Sequence, residues 1–338
     1  MLLAYVGKRL VTAVLMALAA TLVVFLIAHM VPKDPIVAML GDRAASNPAT
    51  VERFREQWGL NRSLVDQYVI FLKGLFQGDL GVSIVTRRPV ADDMLRYAPA
   101  TFELATFAAI VAALVGIPLG ILAAVRRDRW IDHVARLISL IGVAAPTFWL
   151  AFLALALFYG GLQIAPSPGR LPMIALPPPY VTGFFTIDAL IAGNIPLFWT
   201  ALSHLVMPGC VLAASTLGLI TRTMRASMLE SLGQDYVRVA RAKGLTESRV
   251  VWGHSVPNAL MPVVTLGGLA YAELLAGAVM TETIFAWPGL GRYTFQAASA
   301  LDFPAIMGIT LLVAFVYLII NLVVDVSYAF LDPRVLAR

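Results

Sequence analysis

Six apolar runs, each long enough to cross a bilayer, are the strongest constraint on how this 338-residue chain can fold. About 20 apolar residues in a helix span a hydrocarbon core of about 30 Å. The chain is 59% hydrophobic and only 13% charged, whereas soluble domains carry about 25% charged residues. We therefore predict an all-α integral membrane protein with six transmembrane helices. The runs are Leu10–Val31, Thr101–Val125, Leu137–Gly160, Ala201–Ile220, Ala259–Met280 and Ala305–Tyr328.

The first run is predicted to be a retained span and not a signal peptide. Lys8 and Arg9 precede it, as they would in a signal peptide. However, its 22 uninterrupted residues exceed the roughly 7–15 apolar residues of a signal sequence.

The distribution of basic residues predicts which side of the membrane each loop occupies. Six spans place both termini on one side, together with loops 126–136 and 221–258, and this side holds fourteen Lys and Arg. The short loops of the other side hold only Arg170 and Arg292. Basic loops stay in the cytoplasm, so we predict that both termini are cytoplasmic. Because the basic residues form no continuous face, the net charge of +5 does not indicate nucleic-acid binding.

The segment 32–100 is predicted to be an extracytoplasmic loop with its own helices. Apolar residues recur at helical spacing in Pro48–Trp58 and Leu64–Phe76, and Gly78–Gly81 then turns the chain. These helices could form either a structural lid or a docking surface. The chain thus divides into residues 1–31 with the first span, the loop 32–100, and a five-span core at 101–338.

The chain lacks the motifs that an enzymatic function would need. No G-x-x-x-x-G-K-[ST] sequence is present, which argues against ATP binding through a P-loop. No metal-ligand spacing and no Ser/His/Asp arrangement can be argued from the four scattered histidines. The single cysteine, Cys210, excludes an internal disulfide. We predict a protein that is not an enzyme, with no catalytic, cofactor or metal site of its own.

Ionisable residues within the apolar runs are candidates for function, because charge is costly in hydrocarbon. Glu103 and Glu282 are expected near the outer ends, where they can reach the interface, and a structural role is favoured for both. Glu273 lies deepest, and it is either a hydrogen-bonded structural carboxyl or a group that meets a cationic or hydroxylated substrate. The candidates for a translocation pathway are Glu273, Glu282, Pro146 and Phe148.

A polar, basic insert, Asp235–Pro262, interrupts the otherwise apolar sequence. Asp235 can begin a helix that runs to Lys243, and Gly244 can end it. Thr246 can cap a second short helix, and Pro257 marks the entry to the fifth span. This pattern predicts a rigid helix–Gly–helix knob on the cytoplasmic side that a partner could grip.

The insert resembles the EAA coupling loop of ABC import permeases. Gly244 and Pro257 keep the family's spacing of thirteen residues, although Arg238, Val239 and Ala240 replace Glu-Ala-Ala. The stretch Tyr236–Leu245 resembles the dipeptide/oligopeptide/nickel permeases, specifically their DppB/OppB-like subunit. Further similar segments are Pro32–Pro35, Trp58–Leu60, Gly78–Gly81, Arg225–Met228, Glu282–Phe285, Pro288–Gly291 and Leu331–Arg334.

The resemblance implies a type I ABC importer permease fold, a location in a bacterial inner membrane and a complex of several subunits. A second homologous permease (DppC/OppC-like) would complete the pathway, and an extracytoplasmic binding protein would deliver a peptide or related small solute. Two cytoplasmic ATPases, carrying ATP and Mg, would grip the coupling loop within residues 221–258. The coupling residues that it implies are Asp235, Tyr236, Arg238, Ala240, Arg241, Lys243, Gly244, Leu245 and Pro257.

Two other classes of function stay open on the sequence. An ion-gradient-driven secondary transporter would use a membrane acid, for which Glu273 is the candidate. A non-transporting scaffold or receptor would need neither ATP nor a pathway. The family members carry di- and oligopeptides, nickel chelates, glutathione-like compounds and opine or sugar derivatives, and the sequence does not choose among these substrates.

Overall fold

The computed structural model describes residues 2–30, 48, 52 and 62–331, which are helical apart from the connecting loops. Most of the predicted helix Pro48–Trp58 lies outside these residues. So do Pro32–Pro35, Trp58–Leu60 and most of Leu331–Arg334, three of the segments that resemble the family. The helices are α1 Leu2–Met30, α2 Leu64–Phe76, α3 Val90–Val125, α4 Trp130–Ala144, α5 Thr147–Ala154, α6 Phe185–Ile191, α7 Ile195–Leu232, α8 Asp235–Ala242, α9 Glu247–Arg249, α10 Val256–Ile284, α11 Leu290–Ser299 and α12 Phe303–Leu331. Two π-helical segments, Leu155–Gly161 and Val250–Ser255, continue α5 and join α9 to α10.

Five of the six predicted spans are long, continuous apolar helices: α1, α3, α7, α10 and α12. The predicted third span, Leu137–Gly160, is a broken one, and the six predicted spans are present when the bent pair α4–α5 is counted as a single span. Helices α4 and α5 meet at an angle of 106°, with Ala145 and Pro146 in extended conformation between them. Proline has no N–H and excludes the preceding residue from the helical region, so α4 ends here.

The centre of the bundle is the contact between the parallel helices α3 and α7. A Cβ built on Gly120 of α3 would lie only 2.7 Å from Cβ of Met224 on α7. A Cβ on Gly209 of α7 would lie 2.3 Å from the ring of Phe107 on α3. Small residues at such contacts let the backbones of two helices approach closely within a membrane. These glycines therefore hold α3 and α7 together as one unit.

The remaining spans pack around this pair. Helix α10 runs antiparallel to α3, and the hydroxyls of Thr106 and Tyr271 lie 3.0 Å apart between them. Helix α1 packs on α12 at the periphery. The predicted helix Leu64–Phe76 is confirmed as α2, which packs on α1 through Tyr68, whose hydroxyl lies 2.8 Å from Oγ1 of Thr21.

The two ends of the bundle carry different loops. Because α3 and α7 are parallel, Val125 and Leu232 lie at the same end, which we call the basic end and define by residues 126–129 and 233–255. The opposite end carries loops 77–89, 161–194 and 285–289. Helix α3 begins at Val90, so the predicted boundary between the outer loop 32–100 and the core falls inside this helix. Helix α7 continues to Leu232, so the predicted start of loop 221–258 also falls inside a helix.

Candidate functional site

Residues 233–255 form a compact projection at the basic end, which we call the knob. Helix α8 ends where Gly244 adopts a φ of +76°, a conformation that side-chain-bearing residues rarely take. The N–H of Gly244 donates to the carbonyl of Arg241 (2.9 Å), and that of Leu245 donates to Ala240 (3.3 Å). This pair of bonds is a Schellman motif. The prediction of a helix from Asp235 that stops at Gly244 is confirmed.

A small apolar core makes the knob rigid. Val237 and Ala240 of α8 are buried against Val250, and Leu245 packs on the same cluster. Thr246 precedes α9 as predicted, although its hydroxyl makes no capping hydrogen bond. The predicted coupling residues Ala240 and Leu245 therefore support the knob from within instead of lying on its exposed surface.

The exposed face of the knob is polar and mainly basic. Asp235, Arg238 and Lys243 are exposed, and Val239 adds an apolar patch that is 52% exposed. Arg241 reaches across the turn to Glu247, with Nε to Oε1 at 2.8 Å. Because both side chains of this ion pair are exposed to solvent, it contributes little to stability.

Tyr236 attaches the knob to both helices that lead into it. Its hydroxyl lies 2.7 Å from Oγ of Ser231, at the end of α7, and accepts a hydrogen bond from Nδ2 of Asn258 in α10 (3.2 Å). Oγ of Ser231 also donates to the carbonyl of Ser255 (3.1 Å). Pro257 lies in the first turn of α10, where its missing N–H is harmless. The knob is therefore hydrogen-bonded to both α7 and α10.

At the opposite end, the carboxylate of Glu282 is buried at the start of α11. Oγ1 of Thr101 donates to its Oε1 (2.6 Å), and the backbone N–H of Arg292 donates to its Oε2 (3.0 Å). A negative charge is favourable at a helix N-terminus, where N–H groups lack helical partners. Glu282 thereby fixes α11 against α3 and α10.

Two glycines of the segment Pro288–Gly291 make room for this carboxylate. A Cβ on Gly289 would lie 2.3 Å from Oε1 of Glu282, and one on Gly291 would lie 2.6 Å from Cα of Val279. The segments Glu282–Phe285 and Pro288–Gly291, which together resemble the family, are thus one structural unit in which the carboxylate binds the start of α11. The sequence signal for this unit is an acid, Glu282, followed closely by the glycines Gly289 and Gly291 at the start of a helix.

Glu103 is held in a second buried network. Arg170 donates to its Oε2, while the N–H and hydroxyl of Thr186 donate to its Oε1 at 2.9 and 2.7 Å. Burial lowers the pKa of Arg170, against the opposing effect of Glu103. The network orders loop 161–194, which contains the unpredicted helix α6. The expectation that Glu103 and Glu282 reach the interface is wrong, because both side chains are buried in the protein.

The pathway candidates separate into one buried and three exposed residues. Glu282 has no exposed surface, whereas Glu273 is exposed on α10 and makes no hydrogen bond or ion pair within residues 62–331. Pro146 and Phe148 are exposed at the α4–α5 break. The described part of the chain holds no group of three His, Cys, Asp or Glu that could bind a metal.

The geometry thus defines a bundle of membrane-length helices with a packed, basic projection at one end. The chain matches the sequence profile of the binding-protein-dependent transport system inner membrane components over residues 116–337. A companion profile for the N-terminal part of such components matches residues 2–105. The chain belongs to this family of transport permeases.

Named relatives match over nearly their full length. The chain is 47% identical to the probable D,D-dipeptide transport system permease protein DdpB of Escherichia coli over 322 residues, covering 95% of the chain and 94% of the relative. It is 40% identical to the dipeptide transport system permease protein DppB of E. coli over 336 residues, covering 99% of each. It is 38% identical to the DppB of Alkalihalophilus pseudofirmus over 338 residues, again covering 99% of each.

The contact between Gly289 and Glu282 yields a first prediction. Gly289 has a φ of −111°, which alanine adopts without strain, so Gly289→Ala should destabilise the protein only by collision with the carboxylate, by about 1–3 kcal/mol. In a Glu282→Ala background the same change should have little effect. Thermal unfolding of the purified protein in detergent measures both. An equal loss in the two backgrounds would contradict the assigned contact.

Proposed function

We propose that this chain is the membrane-pathway subunit of an ATP-driven importer of peptides. The named relatives are dipeptide and D,D-dipeptide permeases that match over nearly the whole chain at 38–47% identity, which supports a peptide substrate. In this proposal a binding protein outside the membrane selects the substrate and delivers it to the opposite end of the bundle. The chain itself carries no enzymatic activity and no cofactor.

The knob is the observation that carries the ATP-driven part of the proposal. It is rigid, basic and exposed, and it is tied to α7 and α10 by Tyr236 and Ser231. An amphipathic helix presented in this way can lie in a groove of a partner and transmit rigid-body motion. Two cytoplasmic ATPase subunits, with their bound ATP and Mg, are the proposed partners. This assignment makes the basic end and both termini cytoplasmic.

A second permease subunit would complete the pathway along α10. Glu273, Ala276, Gly277 and Met280 recur at helical spacing on this helix, and all four are exposed. A Cβ on Gly277 would meet no atom within 4 Å. This stripe of α10 is the proposed contact with the second permease, and Glu273 would face the path between the two subunits. Phe148 and Pro146 would contribute at the α4–α5 break.

The ion-driven alternative has no support beyond Glu273 itself. The matching family consists of components whose transport depends on a binding protein. In the ATP-driven proposal the acid contacts the passing solute and does not carry a coupling ion.

The coupling role of the knob is tested at Gly244. Gly244→Val should strain the left-handed turn by about 1–2 kcal/mol and, since the turn is local, leave the protein in the membrane. Uptake and co-purification of the ATPase subunits should both be lost. Gly244→Asn is the matched control, because asparagine tolerates this conformation. If Gly244→Val supports full uptake, the knob is not the coupling element.

The pathway role of Glu273 is tested by Glu273→Gln, which removes the charge at constant size. Stimulation of ATP hydrolysis by the substrate-loaded binding protein should change, because the solute no longer meets a carboxylate. Asp92→Asn, which removes an exposed charge outside the stripe, should leave the stimulation as in the wild type. If Glu273→Gln leaves the stimulation of ATP hydrolysis unaltered, Glu273 has a structural role and does not meet the solute.

A further inference from the structure

Asp132 is a buried carboxylate near the basic end whose two oxygens are held by two arginines. Nε and Nη2 of Arg225 donate to Oδ1 and Oδ2 at 2.6 and 2.8 Å, and Nε of Arg136 donates to Oδ1 at 3.1 Å. The backbone N–H of Asp128 donates to Oδ2 at 3.0 Å. Asp132 has no exposed surface. Paired, two-pronged bonds between charged groups are strong and directional.

This cluster joins two helices that are far apart in the sequence. Asp132 and Arg136 belong to α4, whereas Arg225 belongs to α7. Arg136 and Asp128 also pair at 3.3 Å, but the side chain of Asp128 is 69% exposed. The contact that crosses between helices is therefore Asp132 with Arg225.

A second contact fixes the same two helices deeper in the bundle. A Cβ on Gly142 of α4 would lie 2.4 Å from the carbonyl oxygen of Ala214, and one on Gly218 of α7 would lie 2.6 Å from the carbonyl oxygen of Ser139. Gly142 lies ten residues after Asp132, or about 15 Å along the helix axis. Two contacts at this separation prevent α4 from pivoting on α7.

The same part of α7 is attached to the knob. Ser231 follows Arg225 by six residues, or about 9 Å, and binds both Tyr236 and the carbonyl of Ser255. A displacement of the knob is thus passed to Arg225 within a single helix.

At its other end α4 stops at the break. The backbone N–H of Ala145 donates to Ile141 (2.9 Å), and Pro146 then has no N–H with which to continue the helix. Helix α5 leaves at 106° and carries Phe148, which is half exposed. Helix α5 then returns to α7, where Ala151 is buried against Val211. Both arms of the break are therefore seated on the helix that carries the knob.

We propose that the pair Asp132–Arg225 is a mechanical joint that makes α4, and with it the break at Pro146, follow the knob when ATP moves it. The pair positions the pathway residues at the break and does not itself touch the solute. This inference rests on the coupling function proposed for the knob.

The transport test uses the whole transporter in proteoliposomes with Asp132→Asn and, separately, Arg225→Lys. Both variants should keep their ATPase subunits and hydrolyse ATP, while the solute moved per ATP falls about tenfold or more, since neither asparagine nor lysine can form the two-pronged charged contact. The combined exchange of Asp132→Arg with Arg225→Asp retains one acid and two arginines in the cluster, and it should restore much of the transport. Asp128→Asn, with an exposed side chain in the same cluster, is the control and should behave as the wild type.

Normal transport per ATP in both single variants would overturn the joint. So would loss of the protein or of its ATPase subunits in both, because the pair would then only hold the fold or the knob together. A knob that is not the coupling element gives a different result from a failed joint, because uptake then stays intact in Gly244→Val.

A distance measurement separates transmission from mere support. Spin labels on the exposed Leu140 of α4 and Phe315 of α12, in a chain with Cys210→Ser, report the position of α4 relative to α12 by electron–electron double resonance. Adding ATP should shift the distance in the otherwise wild-type transporter, and Asp132→Asn should abolish the shift. No shift with Asp132 intact, or the same shift in Asp132→Asn, would contradict the proposal.

Discussion

The close contact of α3 with α7 is the constraint on which the rest of the structure depends. Lipid chains are as apolar as leucine, so helices in a bilayer gain little from the hydrophobic effect and are held by packing and polar contacts. Gly120 and Gly209 bring the two helices to a distance that a Cβ would prevent. The resulting unit extends from Val90 to Val125 and from Ile195 to Leu232. Both ends of the protein are built on it.

Each end uses this unit for a different purpose. At the basic end α7 supports the knob through Ser231, and it holds α4 through Arg225. At the opposite end α3 supplies Thr101 and Glu103, which bind Glu282 and order the loop around Arg170. Buried acids are satisfied by nearby donors at both ends, as a low-dielectric interior requires. The bundle is therefore stiff between the knob and the outer network, and its break lies at Pro146.

Local sequence patterns predicted the spans and the knob, because apolar run length, Gly244 and Asp235 act over a few residues. They do not distinguish Pro146, where the helix breaks, from Pro118 and Pro208, which lie within helices that continue. Surrounding packing decides between these outcomes, and it is not visible in a local pattern. The burial of Glu282 and the partner of Asp132 were missed for the same reason. Their partners, Thr101 and Arg225, are 181 and 93 residues away.

The central claim is that an ATPase grips the knob and moves the bundle through it. The most direct measurement places a photoreactive amino acid at Val239, which is exposed on α8, in the complete transporter. If an ATPase subunit binds the knob, the cross-linked product should contain that subunit. The yield of this product should change when ATP is added, and the product should be absent in Gly244→Val. A product that contains only lipid or the binding protein, or a yield that Gly244→Val leaves unchanged, would contradict the central claim.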